Sequence, residues 1–166
     1  MITLRSMSVA FLMNEQDFLL MKRSAGRKLM PGIWAGVGGH LEPEEINEPE
    51  TACLREIFEE TGLTKKQLSD LELKYILLRQ FRDEIRIQYV YFAKTTTRQV
   101  KPTEEGELYW IKRGKLFDRD FSATTGFVLK HYLEYEDSIT QILVGTVSGE
   151  YNNPTINWST LKDWES

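Results

Sequence analysis

The chain has 166 residues, of which 41% are hydrophobic and 11% aromatic, enough for one well-buried core and too few for two comfortable domains. Its 21 basic and 25 acidic residues give a formal net charge of -4, which excludes a global attraction to nucleic acid or to anionic membranes. No apolar run approaches a membrane span, and the first residues lack a basic segment followed by a long apolar one, so a cytoplasmic protein is expected.

Residues 7–13 form an apolar β-type run, 14–17 a polar turn and 18–21 a second apolar run, which together predict a hairpin. The basic stretch 22–28 reads as a loop. Arg23, at the exit of the second strand, is placed to reach a phosphate or a base, whereas Lys22, Arg27 and Lys28 read as solvated. Pro31 and Gly32 open an apolar segment in which Gly32, Gly36, Gly38 and Gly39 mark either a bent strand or a backbone wall approached by a ligand.

A helix follows, with Asn47 as the expected N-cap, Glu50 as its capping-box partner, Pro49 in the first turn and Gly62 as a left-handed terminator. Its expected buried stripe is Cys53, Leu54, Ile57, Phe58 and Thr61; the lone cysteine fits a reducing compartment. Glu56, Glu59 and Glu60 are spaced to share one face, either as a solvated acidic surface or as a cation site.

Residues 71–81 and 85–92 alternate around a turn at 82–84 and predict a long antiparallel hairpin, with Leu71, Leu73, Tyr75 and Leu77 on one side. An acidic loop at 102–107 leads to a short strand at 108–111. Residues 122–135 read as a second helix, with His131 as a packing residue, and 139–147 as another strand. The tail from Gly149, carrying Trp158 and Trp164, is an added edge strand, a dimer arm or a loosely held end, so a monomer or a homodimer is expected. Strands on both sides of a central helix, with a second helix late in the chain, predict an α+β sandwich with a mixed β-sheet in one domain spanning 1–166.

Gly39, Glu45, Arg55, Glu56, Ile57, Glu59, Glu60, Gly62 and Leu63 resemble the Nudix box, G-x5-E-x7-R-E-U-x-E-E-x-G-U, with U a bulky aliphatic residue. The Pro-Gly-Ile-Trp segment before the box and the Glu-Gly-Glu-Leu-Tyr-Trp segment after it are also similar to Nudix hydrolases of the nucleotide-cleaning type. One departure stands out: nine residues separate Glu45 from Arg55 where the pattern has seven, an insertion at 46–49 that leaves Glu44 and Glu48 as neighbours competing with Glu45.

The resemblance implies a Nudix-type α/β/α sandwich and a pyrophosphohydrolase that cleaves a nucleoside di- or triphosphate to the monophosphate. An oxidised purine such as 8-oxo-dGTP is one implied substrate. The alternatives are an ADP-ribose or nucleoside diphosphate-sugar pyrophosphatase and a Nudix-fold sensor without catalysis. Hard oxygen ligands suit Mg²⁺, with Mn²⁺ as a substitute, and Glu56, Glu59, Glu60 and the Gly39 carbonyl are the implied ligands. Arg55 is implied to orient them, beside Glu45. The general base is a box glutamate or one of the acidic loop, with Glu105 favoured over Glu104 and Glu107. Arg23, Trp34, Phe121 and Thr124 are the candidate substrate contacts. Thr124 falls near the position where some relatives carry a base-reading asparagine, and a hydroxyl forms fewer hydrogen bonds than an amide. The expected partner is a small-molecule nucleotide, with neither nucleic acid nor membrane.

Overall fold

The computed structural model describes residues 1–24, 32–101 and 103–165; Arg27, Lys28, Pro31 and Pro102 lie outside them. The chain order is β1 (Thr3–Asn14), β2 (Asp17–Arg23), β3 (Trp34–Ala35), β4 (Val37–His40), α1 (Pro49–Thr61), β5 (Leu68–Phe81), β6 (Glu84–Thr95), β7 (Gly106–Lys112), α2 (Ala123–Tyr135), β8 (Leu143–Glu150) and β9 (Asn153–Thr160). The strands form one mixed sheet in the order β3-β2-β1-β6-β5-β8-β9, with β4 added to β1 and β7 to β2. β1 runs parallel to β6 from Thr3 to Met13, while its other edge pairs first with β4 and then with β2. The segment β3–β4 thus crosses from β2 to β1, and Gly36 sits at the crossing, where a Cβ would lie 2.6 Å from the Ala10 carbonyl oxygen.

Alternation along the strands divides the core. One face, including Phe11, Tyr75, Val90 and Phe92, packs against Val128, Leu129 and Tyr132 of α2. The other, including Ala10, Leu12, Val37 and Tyr91, packs against Cys53 and Ile57 of α1. Helices on both faces make the expected sandwich. Leu71, Leu73, Tyr75 and Leu77 do not share a side, contrary to their alternation. Register shifts between Ser69 and Glu72 and between Leu73 and Tyr75 put Leu71 and Leu73 on the α1 face and Tyr75 and Leu77 on the α2 face.

α1 also differs from its sequence pattern. Glu48, not Asn47, is the N-cap, and Pro49 takes the first helical position, where its missing N–H costs nothing. Gly62 ends the helix at φ +76, its N–H donating to the Phe58 carbonyl at 2.8 Å. Phe58 is exposed and Leu54 half-buried, while Ala52 and Glu60 join Cys53, Ile57 and Thr61 in the buried set. The stripe is rotated because the helix meets the glycine strand β4, where a polar side chain finds a backbone donor.

The tail is an edge strand. β9 pairs with β8 from Leu143 to Glu150, and the Trp158 ring packs on Tyr75 and His131, with centroids 5.2 and 4.9 Å apart. Gly145 opposite it leaves the room: a Cβ there would lie 2.6 Å from the indole. β8 begins at Leu143 rather than 139, since Ile139 is spent on the core just after α2. Trp158→Ala is expected to lower the unfolding free energy by about 2 kcal/mol, less than a fully buried tryptophan loses, in urea denaturation. Unchanged stability would mean that the tail contributes no packing.

Candidate functional site

The site is built on β4 and the first turns after it. At Gly38 a Cβ would lie 2.1 Å from the Ser8 carbonyl oxygen, and at Gly39 one would lie 2.4 Å from Oε1 of Glu56. Gly38 thus lies with bare backbone against β1, and Gly39 with bare backbone against α1. The Gly38 N–H donates to Oε2 of Glu60 at 2.8 Å, a donor that residue types alone did not single out, although two adjacent glycines facing a helix were the available signal.

Arg55 gathers the acidic residues around itself. Its Nε and Nη2 donate to the two oxygens of Glu45 at 2.8 and 2.9 Å, Nη1 donates to Glu56 at 2.8 Å and Glu59 at 3.2 Å, and Nη2 also donates to the His40 carbonyl at 3.1 Å. Every N–H of the guanidinium is thereby used. The bidentate contact holds the Glu45 carboxyl down at about 2, chiefly through the Arg55 hydrogen bonds, against the upward push of burial. Glu44 and Glu48 are exposed, so the insertion at 46–49 is absorbed at the surface and Glu45 keeps the arginine.

Glu56, half-buried, and Glu59, exposed, stand together on Arg55, but Glu60 does not join them. It is buried, and burial first, then a hydrogen bond with Glu105, push its carboxyl well above the usual carboxylate range, with the Gly38 N–H opposing. Glu56 is shifted upward as well, mainly by burial, with Glu59 and Glu105 adding repulsion and Arg55 opposing. Glu105, just before β7, is thus the acidic-loop residue that reaches the box; Glu104 is exposed, and Glu107 accepts a hydrogen bond from the Tyr109 hydroxyl.

Among the described residues, no three side chains of the metal-binding types are already drawn into a ligand cluster. The donor set still fits a hard divalent cation: it consists of carboxylate oxygens beside the half-buried Gly39 backbone, and Glu60 lies within hydrogen-bonding reach of Glu105, so two more carboxyl groups converge there. Glu56, Glu59, Glu60, Glu105 and the Gly39 carbonyl are the groups that could hold it.

The remaining candidates gather elsewhere. Trp34 forms an isolated bridge with Phe121, and Phe121 lies edge-on to Phe117 at 6.1 Å. Thr124, in the first turn of α2, is 3.1 Å from the Ser122 hydroxyl. Arg23 pairs with Gly106, next to Glu105, and so connects the two groups along β2 and β7. Two neighbours were not anticipated: Tyr109, whose ring is 5.3 Å from Trp34, and Arg119, whose guanidinium lies over the indole at 5.1 Å.

Residues 3–128 match the family model described as the NUDIX domain. A nucleoside triphosphatase NudI from Klebsiella pneumoniae (strain 342) is 33% identical over 140 residues, covering 75% of this chain and 94% of its own length. The NudI of Escherichia coli O1:K1 / APEC is 30% identical over 141 residues, covering 76% and 94%. Of solved structures, a NUDIX hydrolase from Nitrosomonas europaea is similar with a TM-score of 0.72 at 17% identity, over 89% of this chain and 80% of that one. A MutT protein from Bacillus halodurans gives 0.66 at 21% identity, over 92% and 97%. At these identities the structural likenesses carry the fold.

The fork between Arg55 and Glu45 makes stability depend on acid in a defined sense. A carboxyl lowered from 4.5 to about 2 contributes stability that is complete above the unfolded value and lost as pH falls through the folded one. The contribution is on the order of 3 kcal/mol for a side chain this sheltered. Glu45→Gln is expected to be destabilised at pH 6 and to show a shallower loss between pH 5 and 2 in urea melts. Parallel acid limbs in the two proteins would mean that the fork does not form.

Proposed function

The chain belongs to the Nudix hydrolase family, and from the build of its carboxylate site we propose that it is a divalent-metal-dependent pyrophosphohydrolase acting on nucleoside triphosphates. The carrying observation is the Arg55-centred cluster of Glu45, Glu56 and Glu59 beside the neighbouring carboxyl groups of Glu60 and Glu105. The relatives named nucleoside triphosphatase, matched over 94% of their own length, support the substrate class.

Mg²⁺, or Mn²⁺ in its place, would be held by Glu56, Glu59, Glu60 and the Gly39 carbonyl, where it would supply neutralisation of the phosphates and a more acidic water. Arg55 holds Glu56 and Glu59 in one orientation while Glu45 fixes Arg55 itself, a positioning role. The Gly38 N–H fixes Glu60. Glu105 is the proposed general base: it takes the proton of the attacking water as the water oxygen bonds to the α-phosphorus, the bridging P–O bond breaks and pyrophosphate leaves with the bond electrons, giving the nucleoside monophosphate. A nucleoside diphosphate would release phosphate by the same step.

Base binding falls to Arg23, Trp34, Phe121 and Thr124. Arg119 and Tyr109 already crowd the Trp34 ring, so a base stacks there by displacing Arg119. Thr124, with one hydroxyl shared with Ser122, reads a base edge less completely than an amide, and this favours broad acceptance over strict selection of 8-oxoguanine.

The test is a nucleotide panel incubated with Mg²⁺, with products resolved as pyrophosphate, phosphate or sugar phosphate. Nucleoside triphosphates are expected to give pyrophosphate, and Glu56→Gln and Glu59→Gln to lower turnover by roughly 100-fold or more. Release of a sugar phosphate from a nucleoside diphosphate-sugar as the main reaction would replace the substrate class, and fully active Gln variants would remove the catalytic assignment.

A further inference from the structure

On the sheet face opposite the carboxylates, three arginines stand side by side. Arg5 of β1 is the partner of Arg86 in β6, and Arg86 is the partner of Arg79 in β5. Paired residues share a face, and this face continues through Val9, Val90, Tyr75 and Leu77 into the core beneath α2. Ser8 points the other way, its hydroxyl donating to the Pro49 carbonyl at 3.2 Å, which places the arginine row away from α1.

Like charges directly opposite one another across strands are destabilising. Local compensation is partial. Glu84 meets Arg5 at 3.3 Å and Arg86 at 2.9 Å, whereas Arg79 and the hairpin-turn residue Arg82 make no ion pair among the described residues. The only other carboxylate in that turn is the exposed Asp83. The guanidiniums of Arg79, Arg82 and Arg86 lie 5.4, 5.3 and 4.2 Å from the centre of the Phe81 ring. An aromatic ring surrounded in this way holds the planar forks in place with little entropy left to lose on binding.

We propose that Arg79 and Arg82, supported by Arg5, Arg86 and Phe81, form a binding site for a small diphosphate-bearing molecule, separate from the carboxylate site. Guanidinium forks match phosphoryl oxygens in pairs, and two neighbouring phosphoryl groups suit forks gathered around one ring. The chain's overall negative charge offers no general attraction for such a ligand, so the local row supplies it. The free diphosphate, rather than a nucleic-acid backbone, is favoured because the patch carries one aromatic platform, already covered by cations, where strand binding uses successive rings for successive bases.

The experiment is an isothermal titration of inorganic pyrophosphate into the wild-type chain at low salt with a chelator present, so that the carboxylate cluster repels the probe. Binding is expected, weakening as salt rises and accompanied by an upward shift of the melting temperature. Arg79→Gln combined with Arg82→Asn, the latter chosen because residue 82 sits at φ +57 where asparagine is tolerated, is expected to weaken it about tenfold or more. Hydrolysis with Mg²⁺ should stay within about twofold of wild type in that variant. Should the double variant fail to fold, Arg82→Asn alone carries the comparison. Equal pyrophosphate affinity in wild type and variant, or no binding at millimolar probe, overturns the proposal. Tighter binding of an unphosphorylated-end oligonucleotide than of pyrophosphate overturns the choice of ligand. Because the titration contains no metal and reads no turnover, its outcome is independent of the hydrolase assignment, and the hydrolysis control serves only to show that the two sites are separate.

Discussion

The contact on which the site depends is the fork of Arg55 around Glu45. It joins three pieces of chain that would otherwise be loosely related: the turn holding Glu45, the α1 helix, and the end of β4 through the His40 carbonyl. The Glu45 side chain is 11% exposed and the Arg55 side chain 23%, so the pair is mostly removed from water. Breaking such a pair by losing one partner leaves an uncompensated charge and costs about 3–5 kcal/mol when the pair is fully buried. Four of the arginine's five contacts go to carboxylates, which is why Glu56 and Glu59 can be held close despite their mutual repulsion.

The other half of the cluster is balanced differently. Glu60 is buried and receives no arginine hydrogen bond among the described residues: burial and the contact with Glu105 favour its protonated form, while the Gly38 N–H fixes its orientation. One side of the cluster is thus held by the Arg55 guanidinium, and on the other burial raises the Glu60 carboxyl. A divalent cation binds by displacing protons from its ligands, so under the proposed function the Glu60 side would be where metal binding and pH compete, and the Arg55 side is where geometry is fixed beforehand.

The sequence made part of this legible. The order Gly39, Glu45, Arg55, Glu56, Glu59, Glu60, Gly62 identified the family motif, and Gly62, the hairpin turns and the second helix followed from local chemistry. The rest depends on three-dimensional register. Nothing local says that Lys74 disturbs β5, so the split of Leu73 and Tyr75 between two faces was hidden. Glu105 could be favoured but not separated from Glu104 by pattern; the pairing of Arg23 with Gly106 is what carries Glu105 to Glu60. The N-cap differed for a related reason, since the residues inserted at 46–49 add surface turn without changing where α1 must meet β4.

Register also explains why acidic and basic clusters can coexist on a few strands. β1 pairs with β6 without interruption from Thr3 to Met13, and with β4 at residues 7–10. Even-numbered Ser8 and its partner Gly39 face α1 and the carboxylates, while Arg5 and its partner Arg86 face the other way. A slip of one residue would exchange these faces, burying arginines against α1 and lifting Gly39 away from Glu56. Gly38 opposes that slip, because a Cβ there would lie 2.1 Å from the Ser8 carbonyl oxygen, and one at Gly39 would displace the Glu56 carboxylate. The same close approach that exposes backbone to the carboxylates therefore fixes the alternation that keeps positive and negative clusters on opposite faces of one sheet.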